Sequence, residues 1–207
     1  MTDVACNAQE AVTRGLSIVG HGGMYLLGTG DFHPRIDPRF GLVDVPWTDG
    51  GRQGASVFGS DCAGFAITWA WKVKRHRPGY NHGNWSTVED DINCNSLIED
   101  ANHKQELATE VDTPQPGDLL AYPTFNLRTQ DGADHRFIGH VGLVSSAPAT
   151  WDLKHRRYDL CSVVQCHGPN GFKPGVVATD GSIWLHHDVM WPKPEHRTHI
   201  IRMKERK

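Results

Sequence analysis

From residue 116 onward the chain is written in short β-rich runs: PGDLLAY (116–122), RFIGHVGLVSS (136–146), DLCSVVQCHG (159–168), GVVATDGSIWLHH (175–187) and HRTHIIRMK (196–204). Turn residues bound each run and no amphipathic helical pattern separates them, which argues for an antiparallel sheet. Such a sheet needs a helical layer from the first half of the chain. The strongest helical pattern there is GSDCAGFAITWAWKVKRHRPG (59–79), in which Cys62, Phe65, Ala66, Trp69, Ala70 and Val73 share one face. Ser60 or Asp61 is placed to cap its first turn, Lys72, Lys74, Arg75 and Arg77 gather toward its C-terminal end, and Pro78-Gly79 stops it. Helix followed by strands is the α+β order.

The other segments read less distinctly. AVTRGLSIVGHGGMYLLGTG (11–30) reads as a short helix running into a glycine-rich turn, and residues 31–56 as a long loop punctuated by proline and glycine. Residues 81–115 are polar and acidic, with one exposed helix expected near Ser96–Ala108.

With 207 residues and 38% hydrophobic content, the chain supports one substantial core, and we read residues 1–207 as a single domain. A net charge of −3, with both signs interspersed, offers no basic stripe for a nucleic acid. The first residues, MTDVACNAQEAVTRG, lack the basic and apolar regions of a signal peptide, and no later stretch approaches a membrane span. The expectation is a chain that is cytoplasmic as synthesised. Five cysteines, at 6, 62, 94, 161 and 166, with no C-x-x-C pair, suit neither a disulfide framework nor a zinc cage, so reduced thiols are expected.

Cys62 falls in the first turn of its helix, where unpaired amides and the dipole stabilise a thiolate below the usual pKa of roughly 8.5. An activated nucleophile also needs an imidazole and a polar group to orient it. Of the 13 histidines, two sit inside strand patterns. His140 shares a strand face with Ile138, Gly142 and Val144, and His167 shares one with Cys161, Val163 and Gln165, so a meander brings the two histidines side by side. Gln165 is the rival of His167 for the orienting role. The histidines of LHHD (185–188) and HRTH (196–199) read as solvated surface rather than as a metal site, Cys166 as packing on the opposite strand face, and Trp47 as a residue that could line a groove. No metal and no cofactor are assigned.

These residues resemble the NlpC/P60 cysteine peptidases of the papain-like group. YLLGTG (25–30) is similar to the family's Tyr-x-x-Gly-Gly stretch, SDCAGF (60–65) to its Asp-Cys-Ser-Gly-Phe motif, PQPGDLLAY (114–122) to its Pro-Gly-Asp-Leu strand entry, GHVGLV (139–144) to its histidine strand and HIIRMKER (199–206) to its closing strand, all in the family's order. The resemblance implies Cys62 as nucleophile, His140 as general base and His167 as the orienting residue, with Tyr25 and Asp61 at the substrate-binding end. It further implies an α+β papain-like fold, with the cysteine helix packed on a central antiparallel sheet. The implied reaction is hydrolysis of an amide bond in peptidoglycan stem peptides or muropeptides through an acyl-enzyme, inside the cell or after delivery to the wall by a phage. Two departures bear on substrate choice: Ala63 stands where the family carries serine, and the interval from Cys62 to His140 is longer than in compact relatives. A thiol amidase or acyltransferase is the alternative for the same residues, and a catalytically silent phage or cell-wall binding module is the non-enzymatic one.

Overall fold

The computed structural model describes residues 6–19, 24–25, 35–37, 42–46, 56–60, 62–73, 92–128, 132, 134–167 and 175–205. Helix α1 (Ala8–Ser17) is followed by β1 (Met24–Tyr25), β2 (Arg35–Asp37), β3 (Leu42–Pro46) and β4 (Ser56–Ser60). Next comes the cysteine helix, in which Cys62 and Ala63 lead into a π-helix, Gly64–Ala70. Helix α2 (Cys94–Glu99) continues into a second π-helical stretch, Asp100–Lys104. The strands β5 (Ala108–Glu110), β6 (Leu119–Tyr122), β7 (Phe125–Arg128), β8 (Asp134–Phe137), β9 (His140–Ser146), β10 (Ser162–His167) and β11 (Gly175–Asp180) precede helix α3 (Ser182–Met190) and the closing strand β12 (His199–Met203).

The late runs form the expected antiparallel sheet, ordered β11-β10-β9-β6-β12-β5, and the architecture is mixed helix and sheet of the α+β kind. Strand alternation sorts its side chains into two cores. Leu119, Ala121, Val141, Leu143, Val164 and Cys166 face the layer made by the cysteine helix, α1 and α2. Leu120, Val144 and Val163 face the opposite way, onto Trp184 of α3 and Tyr158. Gly142 makes that second packing possible: a Cβ there would lie 2.6 Å from Trp184 Cη2 and 2.7 Å from Val163 Cγ1.

The cysteine helix ends earlier than its sequence pattern predicts. Lys72, expected in the last turn, has φ 53 and pairs instead with Glu10 of α1. Three groups take up carbonyls that the helix leaves open: Arg14 donates to Trp69 O from Nε and Nη2 (3.1 and 3.0 Å), the Cys6 thiol to Ala70 O (3.3 Å), and Val73 N–H to Ile67 O (3.2 Å). Trp71, fully buried, donates its indole N–H to Gly117 O at 3.0 Å. The Pro-Gly-Asp turn is therefore the anchor of this helix. Gly117 has φ +98 and leaves no room for a Cβ, which would come within 2.4 Å of Ala8 Cβ. Asp118 accepts Gln115 N–H and holds Arg202 of β12 bidentately, at 2.9 and 2.8 Å.

Four expectations are corrected. SIWLHHDVM continues not as strand but as α3, started where the Asp180 carboxylate accepts Ser182 N–H at 3.1 Å. The span read as a long loop contains β2, β3 and the start of β4, which with β1 form a four-stranded sheet ordered β1-β4-β3-β2. The helix expected to be exposed near Ser96–Ala108 buries Leu97, Ile98 and Ala101 in the main core and stops at the left-handed Gln105, after Lys104. The histidines expected at the surface are buried at His187, His196 and His199. Lys74, Arg75, Arg77, Pro78 and Gly79 lie outside the described residues.

Asp100 makes that stop. Fully buried, it accepts the backbone N–H groups of Glu106, Leu107 and Ala108 at 2.9–3.0 Å and so turns the chain from helix into β5. Asp100→Ala leaves buried donors unpaired at roughly 1–3 kcal/mol each. The expected loss is at least about 3 kcal/mol, read from the midpoint of urea unfolding, whereas Glu99→Ala one residue earlier on the exposed face changes it by less than about 0.5 kcal/mol.

Candidate active site

Cys62 is the first residue of its helix and is buried with the main core. His140 opens β9 and is buried at 6% exposure, on the same sheet face as Gly142 and Val144. The two side chains meet: the Cys62 thiol is hydrogen-bonded to the His140 ring. The other edge of that ring is held by β10, whose Gln165 places Oε1 2.6 Å from His140 Nε2. An amide oxygen can only accept, so Nε2 carries the proton and donates. In the neutral ring Nδ1 then keeps its lone pair and is the nitrogen left for the thiol.

His167 lies two residues further along β10 on the same face, with its ring centroid 5.6 Å from that of His140 in an edge-to-face arrangement. It is exposed, and the orienting hydrogen bond to His140 is made by Gln165. Of the residues singled out in the sequence, Cys62, His140 and His167 are thus brought to one place. Tyr25 is near in the backbone, since β1 pairs parallel with β4 and sets Tyr25 opposite Ser60, two residues before Cys62. Asp61 and Trp47 lie outside the described residues.

Three neighbours were not legible in the sequence. Trp184 of α3 stacks beside the His140 ring at 5.5 Å, made possible by Gly142. Tyr122, opposite His140 in register, approaches its ring at 6.0 Å and is stacked at 3.9 Å on His187. Thr179 of β11 receives a hydrogen bond from Gln165 Nε2 at 2.8 Å. Of the three, only Trp184 had a signal in the sequence, Gly142 of GHVG, a place in a strand where something large comes close.

Electrostatics separates the two histidines. Burial pushes the His140 imidazole down, but the Cys62 charge and the hydrogen bonds to Cys62 and Gln165 outweigh it, and its pKa is raised. Burial and the neighbouring His140 charge leave His167 lowered, against a smaller upward pull from Cys62. Burial, followed by the thiols of Cys62 and Cys94, holds the Tyr122 hydroxyl well above its ordinary value, so it is a neutral phenol beside the thiol. Two other cysteines are far from reactive: burial first, then neighbouring carboxylates, push Cys161 and Cys6 up to about 11. Cys6 and Cys94 are both buried as well.

A thiol, a base whose free nitrogen faces it and an acceptor behind that base are the parts of a nucleophile able to attack a carbonyl. Among the described residues no group of histidine, cysteine and acidic side chains is arranged to hold a metal ion, and no helix is long and apolar enough to cross a membrane. The chain matches no known family model, no curated protein and no solved structure.

The opposite shifts give a measurable signature. In a histidine NMR titration His140 is expected to lose its proton above the ordinary value of 6.5, and His167 below it. Cys62→Ala removes the charge that favours the imidazolium and leaves burial in place, so the His140 midpoint should fall below 6.5. A His140 midpoint unchanged in Cys62→Ala would break the link between the two groups.

Proposed function

We propose that the protein is a cysteine hydrolase of the papain-like kind that cleaves an amide bond, with Cys62 as nucleophile, His140 as general base and acid, and Gln165 as the residue that orients His140. One observation carries this reading: the buried His140 ring is held on one edge by the Cys62 thiol and on the other, at 2.6 Å, by an amide oxygen. A structural histidine has no need of a thiol at a helix start. Here the arrangement favours proton transfer from Sγ to Nδ1, since Gln165 stabilises the imidazolium that results.

In the reaction, the Cys62 thiolate adds to the amide carbonyl carbon, forming a C–S bond and an oxyanion. We assign the backbone N–H of Cys62, at the start of its helix, to receive that oxyanion. His140 then gives its Nδ1 proton to the departing nitrogen as the C–N bond breaks, leaving a thioester and a free amine. Water, deprotonated by His140, attacks the thioester, the C–S bond breaks, and the carboxylic acid and the thiol are released. His167, exposed beside the His140 ring, is left free of the proton transfer and is assigned to substrate contact.

The finer assignment to the NlpC/P60 peptidases, and with it peptidoglycan stem peptides or muropeptides as substrate, rests on the ordered motifs. Several geometric features support it. The Pro-Gly-Asp turn opens β6 beside the histidine strand, the HIIRMK strand lies next to β6, and the backbone of Tyr25, the first residue of YLLGTG, pairs with Ser60 just ahead of Cys62. Ala63 and the long interval from Cys62 to His140 depart from the family's compact pattern, and we infer that these two departures bear on which stem peptide is preferred.

Purified peptidoglycan and soluble muropeptides, digested with the protein and resolved by mass, should yield peptides cut at one amide position. Cys62→Ala and His140→Ala should both abolish the products, and Cys62→Ala, which removes little volume, should keep the thermal midpoint. Gln165→Ala should lose about 10²-fold in kcat, and His167→Ala less than about tenfold. In the unmutated protein iodoacetamide near pH 6 should label Cys62 ahead of every other thiol, because an ordinary thiol is less than about 1% ionised there. Full activity of Cys62→Ala would sink the proposal. A crippling His167→Ala beside a silent Gln165→Ala would return the orienting role to His167.

A further inference from the structure

We propose that Thr179 is a positioning residue for His140, fixing through one directed chain of hydrogen bonds which end of the Gln165 amide faces the imidazole; this rests on the reading of Cys62, His140 and Gln165 given above. A glutamine side chain is nearly symmetric in shape but opposite in chemistry at its two ends. Turned one way, its oxygen accepts from His140 Nε2–H and favours the imidazolium. Turned the other way, its NH2 group confronts Nε2–H, the imidazolium is disfavoured and the ring is drawn to the tautomer with its proton on Nδ1. That nitrogen could then no longer accept the thiol proton. Packing alone cannot choose between the two.

The choice is made at the far end of the chain. The Thr179 hydroxyl donates its single proton to Asp180 O at 3.0 Å, and a carbonyl oxygen can only accept. Toward Gln165 the hydroxyl therefore presents a lone pair, and it receives Gln165 Nε2–H at 2.8 Å. That places Oε1 against His140 Nε2, at 2.6 Å. The polarity of all three bonds is set by one main-chain carbonyl. The register supplies the reach: Thr179 is paired with Val163, so it lies diagonally across from Gln165 on the same sheet face. Asp180 also stands at the turn that starts α3, since its carboxylate accepts Ser182 N–H, and α3 carries Trp184 against the His140 ring. One turn thus controls both the edge and the face of the imidazole.

The hydroxyl can be removed with little change of shape. Thr179 is exposed on a strand, where valine is a good residue, so Thr179→Val is expected to fold normally. The rate of Cys62 alkylation by iodoacetamide is measured against pH, with peptide mapping, in the unmutated protein, Thr179→Val, Thr179→Ala, Thr179→Ser and His140→Ala. Both hydroxyl-free variants should move the midpoint of Cys62 ionisation up by about half to one pH unit and slow labelling near pH 6 by about three- to tenfold. Water reaching the exposed site keeps the effect from being larger. Thr179→Ser should stay within about twofold of the unmutated protein. The His140 midpoint by NMR should fall in Thr179→Val and recover in Thr179→Ser. Thr179→Val with an unchanged profile, beside an unmutated protein whose low-pH labelling depends on His140, would overturn the role of Thr179 alone. Equal impairment in the valine and serine variants would do the same, because the hydroxyl would then not be the cause. Low-pH labelling that is absent from the unmutated protein, or indifferent to His140→Ala, would overturn the hydrolase reading and this inference together.

Discussion

A histidine buried to 6% exposure must have both ring nitrogens satisfied by protein, and meeting that requirement at His140 draws four elements into one arrangement. Strand β9 supplies the ring, β10 the amide that receives Nε2–H, β11 the hydroxyl behind that amide, and the start of the cysteine helix the thiol on the other side. The ring faces are closed by Trp184 from α3 and bordered by Tyr122 from β6. A shift of one residue in the β9–β10 or β10–β11 register would send Gln165 or its partner to the opposite sheet face and leave the imidazole unpaired. The requirement is therefore also a constraint on strand register.

The same logic explains why the cysteine helix is anchored at its far end. A thiol placed by the first turn is only as well placed as the helix behind it. Here Trp71 is tied to Gly117 O, the last carbonyls are met by Arg14 and Cys6, and α1 in turn approaches the Pro-Gly-Asp turn so closely that position 117 admits no side chain. The Asp118–Arg202 pair fastens that turn to β12. Residues that resemble a catalytic signature thus divide by role: Gly117 and Asp118 fix the fold, whereas the glycines beside His140 let other parts of the structure approach it.

Where sequence reading and structure part, the physical causes are specific. SIWLHHDVM carries isoleucine and tryptophan directly after a strand and buries only Trp184 and His187, so it lacks the broad apolar stripe that marks a helix. Its start signal, the Asp180 carboxylate reaching Ser182 N–H, was written in the sequence but looked like any other turn. The cysteine helix was legible as an apolar stripe, but its π-helical winding and early end at Trp71 depend on partners from α1 and the Gly117 turn. His187, His196 and His199 sit in polar-looking segments and are buried because Tyr122 and Phe125 stack on the first two and Glu110 stands 3.1 Å from the third.

What the sequence determined by itself was everything carried by local periodicity and turn chemistry. The antiparallel sheet, the helix beginning at Cys62, the placing of His140 within a strand and the meander that brings His167 to its side all follow from periods of two and 3.6 residues and the turns between them. What only the tertiary structure decided was which of two candidates, two residues apart on one strand face, receives the His140 proton. Alternation makes Gln165 and His167 equivalent, and the distinction lies in how far along β10 the ring of a neighbouring strand falls. That offset is set by long-range register, including the irregularity between Ser162 and Val163 where β10 meets β9, and no local pattern encodes it.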